Sequence, residues 1–213
     1  MRTSIWLVRH GQTQFNRERR YQSSSDSPLT AYGQQQIQTL ATRLRRIPFG
    51  VALVSPSERT RRTAEAILAG RPNVQVELTA DWAETNHGRW EGLTYREVLA
   101  RYPDEARARW AAGINGRARG GESLAEVAAR VTMGWQQILQ HHVGGQILIV
   151  THATPIQLVL CASAGLPFSE HWRWRVDLGS ITALDVYGRN VIVRMVNTVP
   201  RLNEQGNASS EDA

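Results

Sequence analysis

Short apolar runs that alternate with amphipathic helical patterns constrain this chain more than any other feature. Ile5 to Val8, Val51 to Val54, a VQVEL run ending at Leu78 and a QILIV run ending at Val150 read as strands. Between them, Ile37, Leu40, Ala41 and Leu44 recur at helical spacing after Thr30. A second helical stretch covers Tyr95 to Ala111, broken or kinked at Pro103. A third spans Ser123 to His141 with Leu124, Val127, Val131, Trp135 and Ile138 inward. Last comes a hairpin, ITALDVY and VIVRMV joined through GRN. Strands alternating with helices predict an α/β fold: a three-layer α/β/α sandwich around a mainly parallel sheet covered on both faces. With 213 residues, 41% of them hydrophobic, and with no repeat or linker, residues 1–202 are expected to form one domain. The polar stretch NEQGNASSEDA, 203–213, is expected to be a disordered tail.

Ligands of such sheets bind beyond the carboxyl ends of the strands. Arg9 and His10 follow the first strand, Arg59 lies in the first helical turn after the second, and His152 follows the fourth. Any one of these alone is an ordinary loop or cap residue; their convergence on one sheet edge is what carries meaning. Two helix starts lie at the same edge. In SPSER, Ser55 is placed as N-cap, Pro56 at the first helical position and Glu58 at the third, and Thr154, Pro155 and Gln157 repeat that pattern. Helix N-termini beside arginine favour an anion with several oxygens, and phosphate fits best.

Composition supports an anionic ligand and removes several chemistries. The net charge is +6, and all 25 basic side chains other than histidine are arginine, suited to bidentate oxyanion contacts. Without lysine there is neither Schiff-base chemistry nor a P-loop. The single Cys161 reads as core, no Cys/His spacing suggests zinc, and neither a signal peptide nor an apolar run of about 20 residues is present. The expectation is a soluble protein of the reducing cytoplasm, free of metal and cofactor, with no membrane or nucleic-acid partner and with homo-oligomerisation open. Arg61 and Arg62 read as a solvated helix face. Trp82 and Trp90 read as packing residues that flank a candidate site segment.

The segments LVRHGQTQFN, SDSPLTAYG, SPSERTRRTAE, ETNHGRWEG, GGES and VTHATPI resemble, in order and spacing, the histidine phosphatase superfamily, also called phosphoglycerate mutase-like. The resemblance covers most of the chain. It implies that His10 is the nucleophile, that Arg9, Arg59 and His152 form the phosphate pocket and that Glu84 is the general acid. It also implies contacts from Asn16 to the phosphoryl group. Gln22, Ser23, His87 and Ala153 join it as candidate substrate-binding residues at the pocket rim. The chemistry agrees with those roles. An imidazole titrates near neutrality and can offer phosphorus an unprotonated nitrogen, and guanidinium groups can stabilise equatorial phosphoryl charge without Mg²⁺.

Departures from the family pattern fall at the rim: Gln12 where glutamate is common, Ser23 where glycine is usual, and His87 in place of phenylalanine. Gln22 and Ser23 replace the Thr-Gly pair of the mutases proper, which favours a phosphatase for small phosphorylated metabolites. A cofactor-dependent phosphoglycerate mutase, and a basic RNA- or protein-binding module on the same scaffold, remain as alternatives.

Overall fold

The structure, a computed structural model, describes residues 1–201. In chain order its elements are β1 (Thr3–Arg9), α1 (Gln14–Arg17), α2 (Ala31–Leu44), β2 (Val51–Val54), α3 (Glu58–Leu68), β3 (Gln75–Leu78), α4 (Tyr95–Arg101), α5 (Pro103–Ala111), α6 (Leu124–His141), β4 (Gln146–Thr151), α7 (Ala153–Ser163), β5 (Ile181–Tyr187) and β6 (Asn190–Thr198). The expected tail lies outside the described residues. No described helix is long and apolar enough to cross a membrane.

One six-stranded sheet runs in the order β3-β2-β4-β1-β5-β6. The first four strands in that order are parallel, and β5 and β6 are antiparallel, so the sheet is mainly parallel as expected. Alternate side chains along β1 and β4 divide the core between the two faces. Ile5, Leu7, Ile147 and Ile149 pack with Val127, Val131 and Ile138 of α6 and Leu158 of α7. Val8, Leu148 and Val150 pack on the other face with Leu40 and Leu44 of α2 and Ile67 of α3. A smaller cluster of Trp90, Val98, Ala106 and Ala118 holds α4 and α5 beside the main body. Trp82 and Trp90 are fully buried, and Cys161 is core.

The helix breaks where Pro103 was expected to break it, with Pro103 opening α5. Thr30 and Ser123 cap α2 and α6 through their side chains. The two expected caps are corrected. Ser55 does not cap α3: its N–H donates to the Val150 carbonyl at 3.0 Å as an extension of the sheet ladder. The helix begins only at Glu58, behind an extended Ser57. The Glu58 N–H is satisfied from another loop by Asp26 Oδ1 at 3.1 Å, and the Glu58 carboxylate pairs with Arg61 and Arg62 instead of reaching back. Similarly, Thr154 is not the cap of α7: the helix starts at Ala153, two residues before Pro155, the expected first helical position, with His152 as its N-cap and Thr154 and Pro155 inside its first turn.

Candidate active site

The strand order places the carboxyl ends of β1, β4 and β2 side by side. Arg9 is in register with Thr151, and Val54 with Val150. The residue after each of these ends is therefore His10, His152 or Ser55, and α3 brings Arg59 in beside them.

His10 is buried, with its backbone N–H donating to Thr151 O at 3.1 Å. Its Nδ1 lies 2.8 Å from the Gly11 carbonyl, which can only accept, so Nδ1 carries the proton and Nε2 keeps its lone pair. That lone pair accepts from Arg59 Nε at 3.3 Å. Gly11 has no room for a side chain: a Cβ there would sit 2.7 Å from the Gly33 carbonyl of α2. This close approach holds the peptide that fixes the His10 tautomer.

His152 is buried and edge-on to His10, with ring centroids 5.1 Å apart. Its Nδ1 faces Arg59 Nη2 at 3.2 Å and its Nε2 faces Ser55 Oγ at 2.7 Å. A guanidinium only donates, so Nδ1 accepts and Nε2 donates to the serine. Burial first, then the Arg59 guanidinium, holds both imidazoles well below their ordinary value, and both rings are neutral at pH 7.

Arg59 is nearly inaccessible. Besides the two histidines it donates through Nη2 to Ser23 O at 2.8 Å and through Nη1 to Ser25 O at 3.4 Å. Burial lowers its pKa to about 10, with Glu84 and Glu91 pulling the other way, so it stays charged. Arg9 donates through Nη1 to Val176 O at 2.6 Å, while its buried Nε has no partner. Burial lowers Arg9 too, against the attraction of Glu84 and Asp177. A partly buried cation whose buried Nε–H is unspent is suited to receive an anion.

Glu84 Oε1 accepts from the Thr85 N–H at 2.9 Å, and the side chain borders a cleft of about 450 Å³ that Ser23, Ser55 and Asn86 also line. Asn16 sits in α1 with Oδ1 taken by the backbone N–H of Thr13 at 3.0 Å. Its amide NH₂ is the end left for a ligand. Ala153 opens α7, where first-turn amides have no intrahelical acceptor. His87 packs tilted against Tyr21 with ring centroids 4.9 Å apart, its Nδ1 is buried without a partner among the described residues, and burial lowers its pKa.

Gln22 and Ser23 are committed to the framework. Gln22 accepts from Thr13 Oγ1 at 2.7 Å and donates to Ser25 O at 3.1 Å. The Ser23 N–H donates to Glu91 Oε1 at 2.8 Å, and the hydroxyls of Ser23 and Ser25 bind the same carboxylate. Burial alone would raise the Glu91 carboxyl; the serine donors outweigh it and hold Glu91 below its ordinary value. Reading the sequence assigned Glu91 no role although it closes the E-x-x-x-G-x-x-E-G segment, and it read Ser55 as a cap. Only the fold shows that Glu91 organises the 22–25 loop and that Ser55 holds His152.

A neutral imidazole lone pair beneath an arginine, at the carboxyl edge of a mainly parallel sheet, makes a histidine-centred pocket whose donors are suited to an oxyanion. Residues 5–199 match the family model of the histidine phosphatase superfamily, branch 1, and the chain belongs to that family. It is 31% identical over 199 residues, 93% of each chain, to phosphoserine phosphatase 1 of Hydrogenobacter thermophilus. It is 29% identical over 197 residues to the adenosylcobalamin/alpha-ribazole phosphatase of Escherichia coli, covering 91% of this chain and 95% of the relative. The crystal structure of the alpha-ribazole phosphatase from Shigella flexneri superposes with a TM-score of 0.86 at 29% identity, over 93% of this chain and 96% of that one.

Proposed function

We propose that the protein hydrolyses small phosphomonoesters through a phosphohistidine at His10. The observation that carries this reading is the fixed tautomer: the Gly11 carbonyl holds the proton on Nδ1, so Nε2 presents its lone pair inside a pocket bounded by Arg59 and His152. An arriving phosphoryl oxygen takes over the Arg59 Nε donor that Nε2 now accepts. Arg9 Nε, the Asn16 amide and the first amides of α7 supply further donors, so charge on the transferring group is met without solvent reorganisation.

In the first half-reaction the Nε2–P bond forms as the P–O bond to the alcohol breaks, and protonated Glu84 gives its proton to the departing oxygen. In the second, the Glu84 carboxylate takes a proton from water as the water oxygen attacks phosphorus. The N–P bond then breaks, inorganic phosphate leaves, and Glu84 is again protonated. No cofactor enters, and none of the described Asp, Glu, His and Cys side chains forms a group of three or more able to hold a metal ion. Metal independence and a cytoplasmic setting belong to the same reading. The named activities of the relatives, on phosphoserine and on alpha-ribazole phosphate, support small metabolites as substrates.

The test is to mix enzyme with substrate, quench in base and assay for an acid-labile, base-stable phosphoryl group. The adduct should form on wild type and be absent from His10→Ala. An adduct that persists in His10→Ala would refute the assignment. A panel of phosphorylated metabolites, read by phosphate release, then identifies the alcohol.

A further inference from the structure

The GGES segment, Gly120 to Ser123, has no part in the chemistry described so far, and neither does Arg130 one turn and a half into α6. Yet Arg130 makes more hydrogen bonds to the Glu84 segment than any other side chain. Its Nη1 donates to the carbonyls of Ala83 at 2.7 Å, Asp81 at 3.1 Å and Ala80 at 3.3 Å, and its Nη2 donates to the carbonyl of Glu84 itself at 3.0 Å. Glu122 holds the guanidinium in that pose, accepting from Nε and from Nη2 at 3.0 Å each. Glu122 also grips the far side of the segment. Its Oε2 accepts from the Asn86 N–H at 2.9 Å, and its own N–H donates to the Asn86 carbonyl at 2.8 Å. The Arg130 side chain is only 14% exposed, so these bonds are made largely out of water.

Glu84 lies on an irregular stretch, without a helix or strand to fix its backbone. A proton donor works only within hydrogen-bond reach of the departing oxygen, and a shift of about 1 Å costs on the order of 10²-fold in rate. Backbone on both sides of Glu84 is tied to one partly buried ion pair, and that pair is anchored on a helix packed into the core. We infer that Arg130, braced by Glu122, is the positioning residue that sets Glu84 for proton transfer. A structural brace for the fold at large would weaken all turnover equally. A positioning residue for the acid weakens only reactions that need the acid.

The inference rests on Glu84 being the general acid, and the test separates the two ideas. Arg130→Lys keeps the cation but cannot span the carbonyls from Ala80 to Glu84. Glu122→Gln keeps an acceptor for Asn86 but gives up the charge that orients Arg130, and it stands in should the lysine variant fail to fold. Each variant is compared with wild type and with Glu84→Gln in single-turnover phosphorylation by β-glycerophosphate, an alkyl phosphate, and by p-nitrophenyl phosphate, whose leaving group needs no proton. Either variant should lose about 10²-fold on the alkyl substrate and less than about threefold on the aryl one. Combined with Glu84→Gln it should lose less than about twofold further on the alkyl substrate, because the acid it places is already gone. Equal losses on both substrates, or full additivity with Glu84→Gln, would overturn the positioning role. If Glu84→Gln itself shows no preference for the aryl substrate, the acid assignment falls and the inference falls with it.

Discussion

Ser55→Ala tests whether Ser55 is a helix cap or a partner of His152. Its hydroxyl is fully buried and accepts from His152 Nε2 at 2.7 Å, and the ring cannot move its proton to Nδ1 without giving up the Arg59 donor at 3.2 Å. Alanine therefore strands a buried N–H, at a cost of about 1–3 kcal/mol in stability. In the phosphoryl-bound state His152 would carry charge, and the bond to Ser55 becomes charge-assisted. Its loss, about 1.5–3 kcal/mol, corresponds to a fall of about 10- to 150-fold in kcat/KM. Urea unfolding and turnover of p-nitrophenyl phosphate measure the two effects. On a His152→Ala background the substitution should cost less than about 0.5 kcal/mol, since the N–H that needed an acceptor is absent. A cap would behave differently, because its contribution of about 1 kcal/mol does not depend on His152. An undiminished loss on that background, or wild-type turnover in the single variant, would refute the partnership.

Three further outcomes are expected. Folding stability should fall on acidification below about pH 6.5, by up to about 1.4 kcal/mol per pH unit for each of His10 and His152. The unfolded chain then takes up protons that these buried rings, held well below their ordinary value, refuse; a flat urea-unfolding profile between about pH 6.5 and 5.5 would contradict the buried neutral pair. Turnover should survive EDTA and be inhibited by orthovanadate, and loss on chelation with recovery on Mg²⁺ would exclude the metal-free mechanism. Glu91→Gln should lose about 1–2 kcal/mol of stability, toward the low end for bonds to a charged group because Glu91 is only half-buried, and should weaken inhibition by phosphate several-fold as the Ser23 carbonyl releases Arg59; unchanged inhibition would show that the 22–25 loop does not set the pocket.

Much of this architecture was legible in the residues because it depends on local pattern. The strands follow from their apolar runs, and the break at Pro103 and the helix starts at Thr30 and Ser123 follow from local sequence. The convergence of His10, Arg59 and His152 followed from topology, since each comes just after the carboxyl end of a strand. What escaped was every contact whose two halves are far apart in the chain. Ser55 carries the local grammar of a cap, and nothing near it announces His152. Asp26 caps α3 from another loop, and Glu91 reaches back to Ser23 and Ser25. The fine setting of the site is made of such long-range polar pairs, whose residue types are also common on ordinary surfaces.

The strand that delivers His10 precedes both of the strands it pairs with by most of the described chain. Ile5 sits between Ile147 on one side and Leu184 on the other, so β1 lies at the interior of the sheet, between strands that come much later in the sequence. Pairings of such sequence separation must await the closure of long loops, and folds dominated by them assemble slowly. A nascent chain can therefore collapse α2 and α3 onto β2 while Arg9 and His10 still have no pocket around them. Recovery of catalysis during refolding is therefore expected to report the insertion of β1 between β4 and β5 and to lag behind the gain of helical signal in a stopped-flow comparison.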